Sequence, residues 1–136
     1  MADTGTIDKY AIDCRLKKSH AALSSCKLNG NIWIEKDGRK YICERNVELL
    51  EQIERLGSIS SAARYLGMGY RTAWLKVEEM NCLSPRLLVV KVHGGAGGGM
   101  AILTDEGRTV ISQYRETVSK FSEFLKTCQN KNNTPR

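Results

Sequence analysis

The sequence has no apolar run near the ~18 residues needed to cross a bilayer. Its first ten residues, Met1 to Tyr10, also lack the apolar core of a signal peptide. Both absences point to a cytoplasmic protein. No Cys-x-x-Cys occurs among Cys14, Cys26, Cys43, Cys82 and Cys128, and neither His20 nor His93 stands at ligand spacing from any of them. A structural metal site is therefore not expected. In a reducing compartment, five cysteines read as free thiols, some of them buried as small hydrophobes. Catalytic arrangements are missing too. The two histidines are far apart, the adjacent acidic pairs Glu78-Glu79 and Asp105-Glu106 project to different helix faces, and no Ser/His/Asp or Cys/His signature is present. The expectation is a protein that is not an enzyme and carries no cofactor.

What is present is 136 residues with 41% hydrophobic and 26% charged side chains, enough for one domain with one modest core. The formal net charge of +6 is spread along the chain without a Lys/Arg block. A mildly basic domain suits an anionic partner.

Residues 1–28 have no sharp pattern and read as a weakly ordered arm. From Asn31 to Cys43, Ile32-Trp33-Ile34 and Tyr41-Ile42-Cys43 flank Asp37-Gly38, which predicts a hairpin closed by a type I′ turn. That register sets Trp33 against Ile42, Ile34 against Tyr41 and Glu35 against Lys40. Asn46 is the expected N-cap of a helix over 47–56, with Leu49, Leu50, Ile53 and Leu56 at helical spacing and Gly57 at its end. Ser58, Ser60 and Ser61 can cap a short second helix that turns Ala62, Ala63 and Leu66 inward. Leu66-Gly67-Met68-Gly69 supplies a short glycine turn. A third helix is expected from Tyr70 to Asn81, with Ala73, Trp74, Val77 and Met80 buried and Arg71, Thr72, Lys76 and Glu79 on the other side.

Pro85 stops that helix. Arg86–Val92 and Met100–Leu103 then read as strands joined by a glycine-rich tip, Gly94 to Gly99. The tip is no phosphate loop, since no Gly-Lys-Ser/Thr follows and it lies between two strands instead of opening a helix. Thr104 caps a last helix, expected over 105–128, with Asp105 and Glu106 in its first turn. Ile111, Tyr114, Val118, Phe121, Leu125 and Cys128 recur there at 3-4-3-4-3, a seam suited to packing on a partner helix. Residues 129–136 read as a disordered tail. The expected fold is mainly α with small β-hairpins. A helix-turn-helix followed by a hairpin, over 29–104, is the layout of a winged helix, whose third helix enters the major groove.

Leu49-Leu-Glu-Gln-Ile53, Gly57-Ser-Ile-Ser-Ser-Ala-Ala63, Leu66-Gly-Met-Gly-Tyr-Arg-Thr-Ala-Trp74, Met80-Asn81 and Gly94-Gly-Ala-Gly-Gly-Gly99 with Leu103-Thr104 occur in a fixed order. Together they resemble the N-terminal DNA-binding domain of the molybdate-responsive ModE regulators, itself related to the LysR-type winged helix. The resemblance covers about residues 29 to 125. It implies a homodimeric, sequence-specific transcriptional regulator of duplex DNA. The hairpin, helix 47–56 and the last helix would serve dimerisation, the last through Ile111, Tyr114, Val118, Phe121 and Leu125. DNA contacts would fall on Ser58, Ser60, Ser61, Tyr70, Arg71, Thr72, Lys91, His93, Gly94, Gly95, Gly97 and Gly98. Gly69 stands where the family often has serine, which removes one cap. ModE regulators continue into molybdate-binding domains and this sequence stops at Arg136. The expectation is therefore a stand-alone DNA-binding version, or one served by a separate ligand-sensing partner. The rival readings are a protein-interaction module and a direct sensor of a small oxyanion.

Overall fold

The computed structural model describes residues 26–93 and 99–133. The chain divides into two compact units, Gly30–Phe124 and a second made of Met1–Asn29 with Leu125–Arg136, so that the boundary falls inside the last helix. The element order is β1 (Ile34–Lys36), β2 (Arg39–Ile42), α1 (Glu44–Leu56), α2 (Ile59–Tyr65), α3 (Tyr70–Leu83), β3 (Val89–Val92), β4 (Met100–Leu103) and α4 (Asp105–Asn133). The architecture is mainly helical, with two small antiparallel hairpins, β1–β2 and β3–β4.

In the first hairpin Asp37 and Gly38 adopt φ of 52° and 71°, the left-handed pair that a type I′ turn demands. Glu35 faces Lys40 as the turn predicts, but Ile34 faces Ile42, because a bulge interrupts the ladder between Ile34 and Glu35. The bulge lets Ile42 enter the core with no exposed surface. Trp33 stays half-exposed under the Lys40 ammonium, 4.6 Å from the ring centroid, and its Nε1 donates to Glu35 at 2.9 Å.

Helix α1 begins three residues before the expected 47, directly after β2, and its N-cap is Cys43, without a side-chain cap. Asn46 does not cap it. Its Nδ2 donates back to the Tyr41 carbonyl at 3.0 Å, because β2 runs into the helix with no linker to place Asn46 at the cap. Gly57 ends α1 at φ 76°, and its carbonyl accepts the Ala101 N–H at 2.9 Å, tying the end of α1 to β4.

Val47, Leu49, Leu50 and Ile53 of α1 meet Ile59, Ala62 and Ala63 of α2 and Ala73, Val77 and Met80 of α3. Leu88, Val89, Ala101 and Leu103 close the core from the second hairpin, and Tyr114 of α4 closes it from the far side. At about 25 cal/mol per Å² of apolar area this cluster is the main stabilising term of the unit. The β3 strand is shorter than expected. The chain ahead of it is held by Asn81, whose Oδ1 accepts from Leu88 N at 2.8 Å and Val89 N at 3.2 Å while Nδ2 donates to Val89 O at 2.9 Å.

Thr104 caps α4 as expected, its Oγ1 accepting from Gly107 N at 3.0 Å. The helix continues to Asn133, so 129–133 is helical and not tail. In the second unit Gln129 holds the segment before β1: its Oε1 accepts Leu28 N–H at 2.6 Å and its Nε2 donates to the Cys26 carbonyl at 2.5 Å. Most of the N-terminal arm, residues 1–25, lies outside the described residues. No helix among the described residues is long and apolar enough to cross a membrane.

Candidate nucleic-acid interface

The candidate site is built on the α2–α3 pair. Ser58 adopts an extended conformation and its Oγ accepts the Ser61 N–H at 3.0 Å, which starts α2 one residue later. Ala62 and Ala63 are small enough for α1 and α3 to approach closely on either side. Gly67 at φ 63° and the bond from Met68 N to Ala63 O, 2.9 Å, reverse the chain. Gly69 then opens α3 with no side-chain cap, and no acidic residue occupies the first turn. The positive end of the helix is thus uncovered.

Tyr70, Arg71 and Thr72 occupy that turn and all three are exposed. Arg71 has no ion pair among the described residues, and the same holds for Arg64 on α2 and Lys76 on α3. The cations between α1 and α4 are used internally instead. Arg115 makes a two-pronged bond to Glu51, at 2.9 and 2.8 Å, and a third to Glu44 at 2.5 Å. The Glu51 bonds raise its already high pKa further, so this guanidinium stays charged at any accessible pH. Arg108 bonds Glu54 at 2.6 Å and Asp105 at 2.8 Å. On α1, Arg45 bonds Glu48 at 3.3 Å and the Leu66 carbonyl at 2.8 Å.

Trp74 departs from expectation. Its side chain is not core but 36% exposed, with the Lys91 ammonium 4.5 Å from the ring centroid. Ala73, Val77, Met80 and Leu83 already fill the buried stripe of α3, and Trp74 stands at its edge where the second hairpin approaches. A groove of about 370 Å³ opens there between α2, α3 and the hairpin. It brings together Ser60, Tyr70, Lys91 and His93 of the expected contact residues, and adds Trp74 and Met100.

The remaining expected positions divide by their surroundings. Ser58 and Ser61 are partly buried and share the cap bond. Lys91 is paired with Glu78 of α3. Gly94, Gly95, Gly97 and Gly98 lie outside the described residues. Of the seam on α4, Tyr114 is buried within its own chain and donates to the Ile32 carbonyl at 3.1 Å, while Ile111, Val118 and Phe121 are partly exposed. Leu125 belongs to the second unit. Sequence reasoning missed Trp74, Arg64 and Glu78. The first had a usable signal, since Ala73, Val77 and Met80 already complete a helical stripe with Trp74 beside it, and the Glu78–Lys91 pair had none, being formed between a helix and the hairpin that follows it.

Comparison with known proteins places these features in a class. No protein-family model matches the chain. Curated relatives do, and several carry the name ModE, as the motif order anticipated. The chain is 38% identical over 92 residues to the molybdenum transport protein ModE of Azotobacter vinelandii, covering 68% of this chain and 34% of that one. It is 44% identical over 70 residues to the DNA-binding transcriptional dual regulator ModE of Escherichia coli K12, covering 52% and 27%. The molybdenum-pterin-binding protein MopB of Rhodobacter capsulatus matches at 43% over 81 residues, covering 60% and 30%. The chain spans about a third of the length of these relatives. None of the three names is that of an enzyme.

Proposed function

We propose that this chain is a winged helix-turn-helix module of a transcriptional regulator and binds duplex DNA in a sequence-specific way. In this reading α2 and α3 are the helix-turn-helix, α3 enters the major groove by its N-terminal turn, and the β3–β4 hairpin is the wing. The observation that carries it is the first turn of α3: three exposed side chains, Tyr70, Arg71 and Thr72, on an uncapped helix start without acidic residues. Arg71 there can read guanine through two parallel hydrogen bonds. Ser60 and His93 flank that turn on the same groove, in reach of the phosphate backbone. The name of the Escherichia coli relative supports the reading.

Two copies related by a two-fold axis would place their α3 helices ~34 Å apart and read an inverted repeat. The half-exposed seam of α4 and the β1–β2 hairpin would form the contact. Selection of bound duplexes from a random pool, followed by binding of the selected site at rising salt, tests the whole reading. The expected result is a two-fold symmetric site whose affinity falls with salt. Failure to enrich any sequence, or binding indifferent to salt, would refute it. Calorimetry with molybdate and tungstate separates the rival oxyanion sensor: a stoichiometric heat favours that rival.

A further inference from the structure

Along one face of α3, Arg71, Trp74 and Glu78 follow one another at helical spacing, and Lys91 of β3 leans onto that face from the side. Its ammonium sits 4.5 Å from the Trp74 ring centroid and pairs with Glu78 Oε1. The pair is half-sheltered, with side-chain exposures of 30% for Lys91 and 41% for Glu78. It is therefore held more firmly than a fully solvated pair, yet it remains open to exchange. Glu79, the next residue, points elsewhere and pairs with Arg39 of β2 at 2.8 Å. Arg71 and Lys76 have no ion pair among the described residues. A single acidic side chain is thus placed on the cation that the hairpin presents beside α3.

We propose that Glu78 sets the affinity of this protein for nucleic acid, standing in for a phosphate on Lys91 until a phosphate displaces it. This rests on the DNA-binding reading above. With the carboxylate present, a phosphate contact by Lys91 exchanges one charge-assisted hydrogen bond for another and leaves Glu78 facing a polyanion. Without it, the same ammonium counts as a full phosphate contact and releases a counterion. Because phosphates are the same in every sequence, the restraint acts on all duplexes alike and leaves sequence preference untouched.

The test compares the intact chain with Glu78→Gln on a duplex selected from a random pool and on a random-sequence duplex. Glu78→Gln is expected to tighten both by the same factor. It should also steepen the dependence of log affinity on log salt by about 0.9 for each protomer bound, which is about 3.5-fold more loss per protomer between about 50 and about 200 mM salt. In a Lys91→Ala background, Glu78→Gln should leave that slope where Lys91→Ala alone puts it. An unchanged slope in Glu78→Gln overturns the proposal. So does an equal steepening in the Lys91→Ala background, which would mark a general loss of negative charge. A parent protein that binds neither duplex would instead refute the DNA-binding reading, and this inference with it.

Discussion

Gly107→Ala sets helix propensity against packing, and the two give opposite signs. Gly107 is the third residue of α4, in its first turn, where alanine is favoured on propensity by at most the value for a helix interior, about 1 kcal/mol. A Cβ there would sit 2.6 Å from the Leu88 carbonyl oxygen, 2.5 Å from Leu103 Cδ1 and 2.9 Å from Leu103 Cγ. Neither neighbour can yield cheaply, since Leu88 and Leu103 are 0% and 2% exposed. The Leu88 carbonyl also accepts the Thr104 N–H at 2.9 Å, and the Thr104 hydroxyl donates its one hydrogen between the Leu87 carbonyl at 2.7 Å and the Leu88 carbonyl at 3.1 Å, so that moving α4 outward would stretch both bonds. Overpacking of this kind costs about 1–3 kcal/mol, and each weakened hydrogen bond adds up to ~1 kcal/mol.

The clash therefore exceeds the propensity gain, leaving a net loss of about 2 kcal/mol by those same magnitudes. With a urea m-value of about 1–3 kcal/mol/M, the midpoint should fall by about 1 M. Gly30→Ala is the natural comparison. Its Cβ would meet Phe121 Cζ at 2.9 Å, but that ring is partly exposed and free to swing, so the midpoint should move much less. Urea unfolding followed by circular dichroism reads both. A Gly107→Ala protein as stable as the parent, or more so, would show that the start of α4 can shift away from β3 without loss, and would refute the packing argument.

Other consequences concern single side chains. Arg71→Ala should cost about 1–3 kcal/mol on the selected duplex and relax preference at one base position; an unchanged preference in competition binding would remove α3 from the groove. Asn81→Ala strands the Leu88 and Val89 N–H groups and the Val89 carbonyl, a loss of about 1–3 kcal/mol. Faster amide exchange at Leu88 and Val89 should accompany it. Burial raises the Tyr114 phenol above its ordinary pKa, with the nearby Glu44 carboxylate adding to it. A raised folded pKa gives stability that is complete below about pH 10 and lost as pH rises through the folded value. Tyr114→Phe should flatten that alkaline decline in urea midpoints while costing about 1 kcal/mol near neutrality for the Ile32 bond.

Local rules carried much of the architecture. Asp37-Gly38, Gly57, Ser58 and Thr104 act through neighbours one to four residues away, and each does in the structure what its residue type dictates. The misplaced features share a different cause. Asn46 lost its cap role because β2 abuts α1, the register of the first hairpin slipped at a bulge, and Trp74 was displaced to the rim because the hairpin stands beside α3. Each depends on where one element lies against another, which spacing along the chain does not encode. The candidate site followed the same division. The first turn of α3 was legible as a helix start, whereas the pairing of Lys91 with Glu78 needed the hairpin in place.

Net charge is a poor guide to the strength of any nucleic-acid contact, because many of the cations among the described residues already have partners. Arg39, Arg45, Lys91, Arg108, Arg115 and Lys120 are paired with carboxylates. Lys36 is bonded to the Leu83 carbonyl, and Arg55 is bonded to Gln52 and stacked on Tyr65. On α2 and α3 the cations without a carboxylate among the described residues are Arg64, Arg71 and Lys76. If those three supply the phosphate contacts of one protomer, the slope of log affinity against log salt is about −2.7, and about −5 for a dimer on two half-sites. A slope nearer zero, or one that survives replacement of all three by alanine, would move the contact surface away from α2 and α3. A slope far steeper than −5 would show that internally paired cations such as Arg108 and Arg115 are surrendered to DNA, and the Arg115 geometry argues against it. Its three bonds to Glu44 and Glu51 would all have to break to gain one phosphate.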